Sequence, residues 1–168
     1  VIRPLHPDDV PALDRMLARC SPESIWLRFR GRPNGFPSSY LQRCLTGEQP
    51  ALVDEQEGEV VAMGSIGPVP GEPGVAEMAV LVEDRWQHLG LGRRLMLALL
   101  VQAGPRVVRM HMVRSSLSAH LATTLRVLAV ERHGSETVLD VDARSAVEHW
   151  SERRRDRGER GDVLVQPG

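Results

Sequence analysis

The residues best able to do chemistry lie in one run, Glu77-Met-Ala-Val-Leu-Val-Glu-Asp-Arg-Trp-Gln-His-Leu-Gly-Leu-Gly-Arg-Arg-Leu-Met96. A strand-like stretch leads into Gln87, His88, Leu89, Gly90, Leu91 and Gly92, and a helical pattern starts at once. Gly90 and Gly92 let the backbone turn tightly and approach a ligand closely. The first N–H groups of the helix, with the positive end of its dipole, point at whatever sits there. Arg93 and Arg94 place positive charge in a first turn that normally prefers acids. That local cost makes sense if the customary occupant is an anion such as a pyrophosphate.

Other phosphate-binding designs fail on the residues. A triphosphatase loop needs Gly-Lys-Ser/Thr, and this chain has no lysine: its 21 basic residues are all arginine. A dinucleotide fingerprint needs a third glycine where Leu95 stands. No Gly-x-Ser-x-Gly nucleophile elbow occurs.

The elements that must position this run are legible on both sides of it. Ile2–Leu5 reads as an edge strand ended by Pro7, and Asp8 as the cap of a helix carrying Val10, Leu13, Leu17 and Cys20. Ser21-Pro22-Glu23 signals a second helix, with Ile25 and Phe29 on one face. Residues 31–37 are turn-rich, and 38–45 read as one more helix. Strand patterns at 51–53 and 60–63 flank a Glu57-Gly58 turn, and a Gly/Pro-rich link over 67–74 leads into a strand at 75–82. Leu91, Leu95 and Leu99 form a helical stripe. A strand is expected at 107–113, a helix at 115–130, a strand at 137–141 and a helix from Ala143 to Arg157. The dense charge mixture over 152–162 reads as a solvated tail.

Bulk properties exclude several classes. The 168 residues suit one domain, and a net charge of −1 calls for neither nucleic acid nor an anionic membrane. No apolar run approaches the ~20 residues that span a bilayer. No secretory h-region is visible at the start, so the cytoplasm is the expected location. Cys20 and Cys44 lack metal-ligand spacing and are expected to be free thiols.

The 87–92 loop resembles the coenzyme A-binding motif of the GNAT acetyltransferases, Gln/Arg-x-x-Gly-x-Gly/Ala, matched by Gln87, Gly90 and Gly92. Residues 76–82 look like that family's fourth strand. Ile2-Arg3-Pro4, Asp8-Asp9, Ser21-Pro22-Glu23-Ser24 and Leu27-Arg28-Phe29 are similar to the opening of bacterial protein-lysine acetyltransferases of this superfamily. The resemblance spans roughly residues 1–141, is specific at 76–96 and is loose after 113.

It implies an α/β (α+β) fold over residues 1–142, with a mixed, mostly antiparallel sheet splayed between strands four and five and flanked by helices; 143–168 would add a C-terminal helix and charged tail. It also implies acetyl-coenzyme A as co-substrate. The pantetheine arm would bond backbone near Leu81 and Val82, and the pyrophosphate would meet N–H groups from His88 through Leu89, Gly90, Leu91 and Gly92 to Arg93. The acceptor would be a primary amine, on a protein lysine or a small molecule, and a homodimer would be ordinary. Glu77 matches by position the strand-borne glutamate that serves as general base in many relatives; a strand interior would partly desolvate it. The alternative is a rim glutamate without a role.

The chain departs from the family pattern too. Ser118, which the resemblance counts among the cofactor-binding residues, falls where an Asn is common, and Leu125 where a Tyr usually protonates the departing thiolate. Ser116, Ser118, His120 or water would have to substitute. His88 and Leu89 stand where Gly and Arg are common. Such departures keep a second reading open, a non-catalytic acyl-coenzyme A sensor.

Overall fold

The structure is a computed structural model that describes residues 1–104, 106–113, 119, 121, 123 and 125–156. Seven strands form one sheet in the order β1-β2-β3-β4-β5-β7-β6. They are β1 (Ile2–Pro4), β2 (Ala51–Gln56), β3 (Glu59–Pro68), β4 (Val75–Val82), β5 (Val107–Val113), β6 (Val127–His133) and β7 (Glu136–Asp142). All pairings are antiparallel except β4 with β5. The described helices are α1 (Val10–Arg19), α2 (Pro22–Phe29), α3 (Ser38–Leu45), α4 (Leu91–Ala103) and α5 (Ala143–Asp156). Among the described residues no helix is long and apolar enough to cross a membrane.

The parallel β4–β5 pair needs a crossover connection, which α4 supplies. One core joins α4 to the sheet through Ala76, Met78, Leu95, Leu99, Val108 and Leu139, and α5 adds Ala143 and Ala146 to it. A second core covers the opposite face, where Leu13, Met16 and Leu17 of α1 meet Val53, Met63 and Leu81. Period-2 alternation on β4 sends Ala76 and Met78 to the first core and Leu81 to the second.

Gly64 is what lets α4 lie so close to β3. A Cβ there would stand 2.7 Å from Leu99 Cδ1 and 3.1 Å from Val80 Cγ2. Leu99 is fully buried, so it has nowhere cheap to go. Gly64→Val is therefore expected to destabilise the fold by about 2–3 kcal/mol, read as a lower denaturant midpoint at unchanged slope.

Most expected elements are present. The β2–β3 turn at Glu57-Gly58 has positive φ at both positions, 55° and 79°, the geometry of a type I′ hairpin. Two expectations need correction. The first helix is preceded by a 3-10 turn, Pro7–Asp9, capped by His6 in a reciprocal box with Asp9 and not by Asp8; Asp9 is drawn to Arg3 by a bidentate bond. Arg3, outweighing a contrary effect of burial, holds the Asp9 carboxyl below its ordinary range.

The helix expected over 115–130 also stops short. Positions 119, 121 and 123 are helical, but Val127–His133 is the strand β6, paired with β7 across Gly134-Ser135. A helical period runs on through Val127-Leu128-Ala129-Val130, but the β-branched ends of this stretch and the tight turn after it favour an edge strand.

Cys20 and Cys44 are both free and buried. Burial, followed by the neighbouring charges of Asp84 and Glu83, pushes the Cys20 thiol up to about 11. Neither thiol should react with a neutral-pH disulfide reagent until the protein unfolds; prompt stoichiometric labelling of the native state would contradict this burial.

Candidate active site

The β4–β5 ladder runs from Val75↔Val107 to Met78↔Met110 and ends there. Beyond it, His111, Met112 and Val113 pair only with β7, while Ala79, Val80, Leu81 and Val82 pair only with β3. The sheet is thus split over the last four residues of β4. The direction of the freed groups follows from register. Glu83 N–H bonds Val61 O (2.9 Å) and Val69 N–H bonds Val75 O (3.1 Å), so the odd-numbered residues of β4 exchange bonds with β3. Leu81 therefore spends its N–H and C=O on Met63, and its side chain is buried under α1. Val80 and Val82 turn their backbone groups to the gap. Val80, which the sequence reading did not single out, presents the first N–H beyond the closed ladder; period-2 counting from the split would have found it.

At the far end of β4, residues Asp84–Trp86 form a 3-10 turn and the chain passes into the loop. His88, Leu89 and Gly90 are exposed, with left-handed φ of 61° at His88 and 84° at Gly90. Gly90 is the N-cap of α4 and no side chain caps it. The first intrahelical bond is Arg94 N–H to Gly90 O (3.0 Å), which leaves the N–H groups of Leu91, Gly92 and Arg93 ahead of it without an intrahelical acceptor. Nothing stands within 4 Å of a Cβ built on Gly90, so the helix start is open at its cap position. A Cβ on Gly92 would be 3.3 Å from Val82 Cγ2, which shows how tightly the helix start is set against the end of β4. Leu91 anchors this start in the core at 6% exposure.

The two arginines of this turn have protein partners. Arg94 bonds Asp54 Oδ2 at 3.0 Å, and Asp54 is fully buried. Arg93 sets its guanidinium 5.8 Å from the Trp150 ring centroid on α5. Gln87 likewise turns inward: its Nε2 donates to Val82 O and to Ser24 Oγ, each at 3.0 Å. The uncapped amides, the open glycine and the nearby cations suit a diphosphate, while the split suits an extended amide-bearing arm.

Glu77 lies one residue before the last closed rung, opposite Gly67 on β3 and Arg109 on β5. It is exposed, so the partial desolvation expected for a strand interior is not present. Arg109 is held by Asp140 through two bonds (2.9 and 3.0 Å) and by Glu72 (2.8 Å). Hydrogen bonds to Asp140, then Glu72, keep that guanidinium above even its usual range.

On the same side α2 rests on β4, and Arg30 at its C-terminus pairs with Glu136 on β7, spanning the split. Beneath α2, Arg28 Nη2 donates to Tyr40 Oη (2.7 Å) and Tyr40 O–H donates to Ser65 Oγ (2.7 Å). Burial raises the Tyr40 pKa. Leu125, at the position of the family's acid, is buried apolar core. Ser116, Ser118 and His120 lie outside the described residues.

The sequence profile described as the acetyltransferase (GNAT) family matches residues 13–122. The GNAT domain of S. lividans PAT superposes with a TM-score of 0.67 at 19% identity, over 84% of this chain and 89% of that one. The ribosomal-protein-alanine N-acetyltransferase of Brucella melitensis gives 0.60 at 20%, over 83% and 96%. The yncA protein of Salmonella typhimurium, solved with its cofactor acetyl-CoA, gives 0.63 at 20%, over 85% and 93%. Among curated proteins no sequence match is found. Matched by the family profile over residues 13–122, the chain belongs to the acetyltransferase (GNAT) family, enzymes that use acetyl-coenzyme A as acyl donor.

Proposed function

We propose that this protein acetylates a primary amine, on a protein lysine or a small molecule, by direct attack on the thioester. The observation that carries the reading is a juxtaposition within residues 77–93: the broken β4–β5 ladder, the uncapped amides ahead of α4, and the exposed Glu77 carboxylate. Acetyl-coenzyme A supplies an acyl group already activated as a thioester.

The chain's own groups divide the remaining work. Backbone N–H groups of 88–93 hold the diphosphate at the positive end of the α4 dipole. Val80 and Val82 offer the gap their backbone groups, and the Val80 N–H stabilises the carbonyl oxygen as charge develops on it. Glu77 takes the ammonium proton, directly or through water, because only the neutral amine attacks. A thiol with an ordinary pKa of about 8.5 is an acceptable leaving group without a dedicated acid, which fits the apolar Leu125.

A panel of lysine peptides and small amines, scored by thiol release together with acetylated product, tests this. Tight coenzyme A binding with no turnover on any amine would sink the catalytic reading in favour of a sensor.

A further inference from the structure

Helix α2 has no fully buried residue among its eight. Its apolar packing is limited to half-buried Ile25 and Phe29 on the second core, and polar ties add to it at both ends. At its C-terminal end the ties are Arg28 to Tyr40 (2.7 Å) and Arg30 to Glu136. At its N-terminal end the ties all run to the root of the cofactor loop. Asp84 Oδ2 accepts from Ser21 N (2.7 Å), and Asp84 Oδ1 accepts from Ser21 Oγ (2.6 Å) and Ser24 Oγ (3.0 Å). What burial Asp84 has works to raise its pKa, but the hydrogen bonds from Ser21 and Ser24 prevail and hold it ionised below the usual range.

Gln87 completes the knot. Its two amide hydrogens go to two different elements, one to Val82 O at the end of β4 and one to Ser24 Oγ on α2. The next residue, His88, begins the exposed loop. The Val82 carbonyl belongs to the set that register turns toward the gap, so Gln87 also closes one acceptor there.

We propose that Gln87 is a positioning residue, which couples occupancy of the 88–93 loop to the order of α2 through Ser24 and Val82. It is not a ligand of the diphosphate. A ligand that orders the loop then orders the helix beside the split, and the reverse holds by linkage. The proposal rests on the loop being the coenzyme A site.

The test is amide hydrogen exchange with and without coenzyme A, beside calorimetry, on wild type, Gln87→Met and Ser24→Ala. Methionine keeps the length of the side chain and removes both donors. In wild type, coenzyme A should slow exchange in both the loop and residues 22–29, the latter by about tenfold. In both variants the loop should still be protected, and the protection of 22–29 should drop to the small remainder that the Ser21–Asp84 bonds carry. The coupling is overturned if 22–29 keep the wild-type protection in either variant, or if Gln87→Met alone loses affinity about tenfold or more, as a direct ligand would. Absence of heat and of loop protection in wild type would instead sink the cofactor reading, and the coupling with it.

Discussion

Glu77→Gln is expected to lower kcat for amine acetylation by about 10²–10⁴-fold, the usual worth of a positioned general base, with coenzyme A affinity near wild type. The asymmetry follows from distance along the chain: the diphosphate donors begin at residue 88, and Glu77 sits before the split, opposite Arg109. The pH dependence is more telling than the size. A lysine-type amine of pKa ~10.4 is neutral in roughly one molecule of 2,500 at pH 7. Without the carboxylate only that fraction reacts, so the variant's kcat/KM should climb close to tenfold per pH unit up to about pH 9. Wild type should level off earlier. Equal slopes in the two proteins would remove Glu77 from proton transfer.

The surroundings of Glu77 favour this role for a reason invisible in sequence. A guanidinium on the adjacent strand would ordinarily capture a neighbouring carboxylate. Arg109 is instead engaged by Asp140 and Glu72, which leaves Glu77 without a hydrogen-bonding or ionic partner among the described residues. Asp140 comes from β7, 31 residues further along the chain, so no local pattern announces it.

The same distinction between local and distant determinants separates what was legible from what was not. Gly90 and Gly92 before an amphipathic stripe announced the loop and α4, because glycine at a helix start has a local backbone cause. Ser21-Pro22 announced α2 for the same reason, and Ser21 Oγ does cap Ser24 N–H (3.2 Å). The expected split between 75–82 and 107–113 came from family resemblance, and its extent emerges only from inter-strand register. Side-chain allegiances were hidden altogether. Gln87, Arg93 and Arg94 stand beside one another in the loop's own sequence, yet Ser24, Trp150 and Asp54 claim their side chains, all from remote segments. The β6 strand was missed because its exposed residues lack a clean alternation, with a bulge between Val127 and Ala129.

Gly90→Asp is expected to leave the fold intact while lowering coenzyme A affinity by about 100-fold. The left-handed φ of 84° is one that Asp tolerates better than most residues, and a Cβ there meets nothing within 4 Å. The new carboxylate would stand in front of the N–H groups of Leu91, Gly92 and Arg93, where it favours the helix dipole but repels a diphosphate. Two like charges ~4 Å apart at an effective dielectric of about 20 repel by about 4 kcal/mol; solvent screening at this exposed turn brings that toward the ~2.7 kcal/mol of a 100-fold loss. Gly90→Asn supplies the control, since it has the same shape and backbone demand without the charge. Binding by Gly90→Asn within a few fold of wild type, with Gly90→Asp severely weakened, assigns the effect to electrostatics at the helix start. Full affinity in Gly90→Asp would mean that the anion binds elsewhere, and the uncapped amides of α4 would lose their assigned ligand.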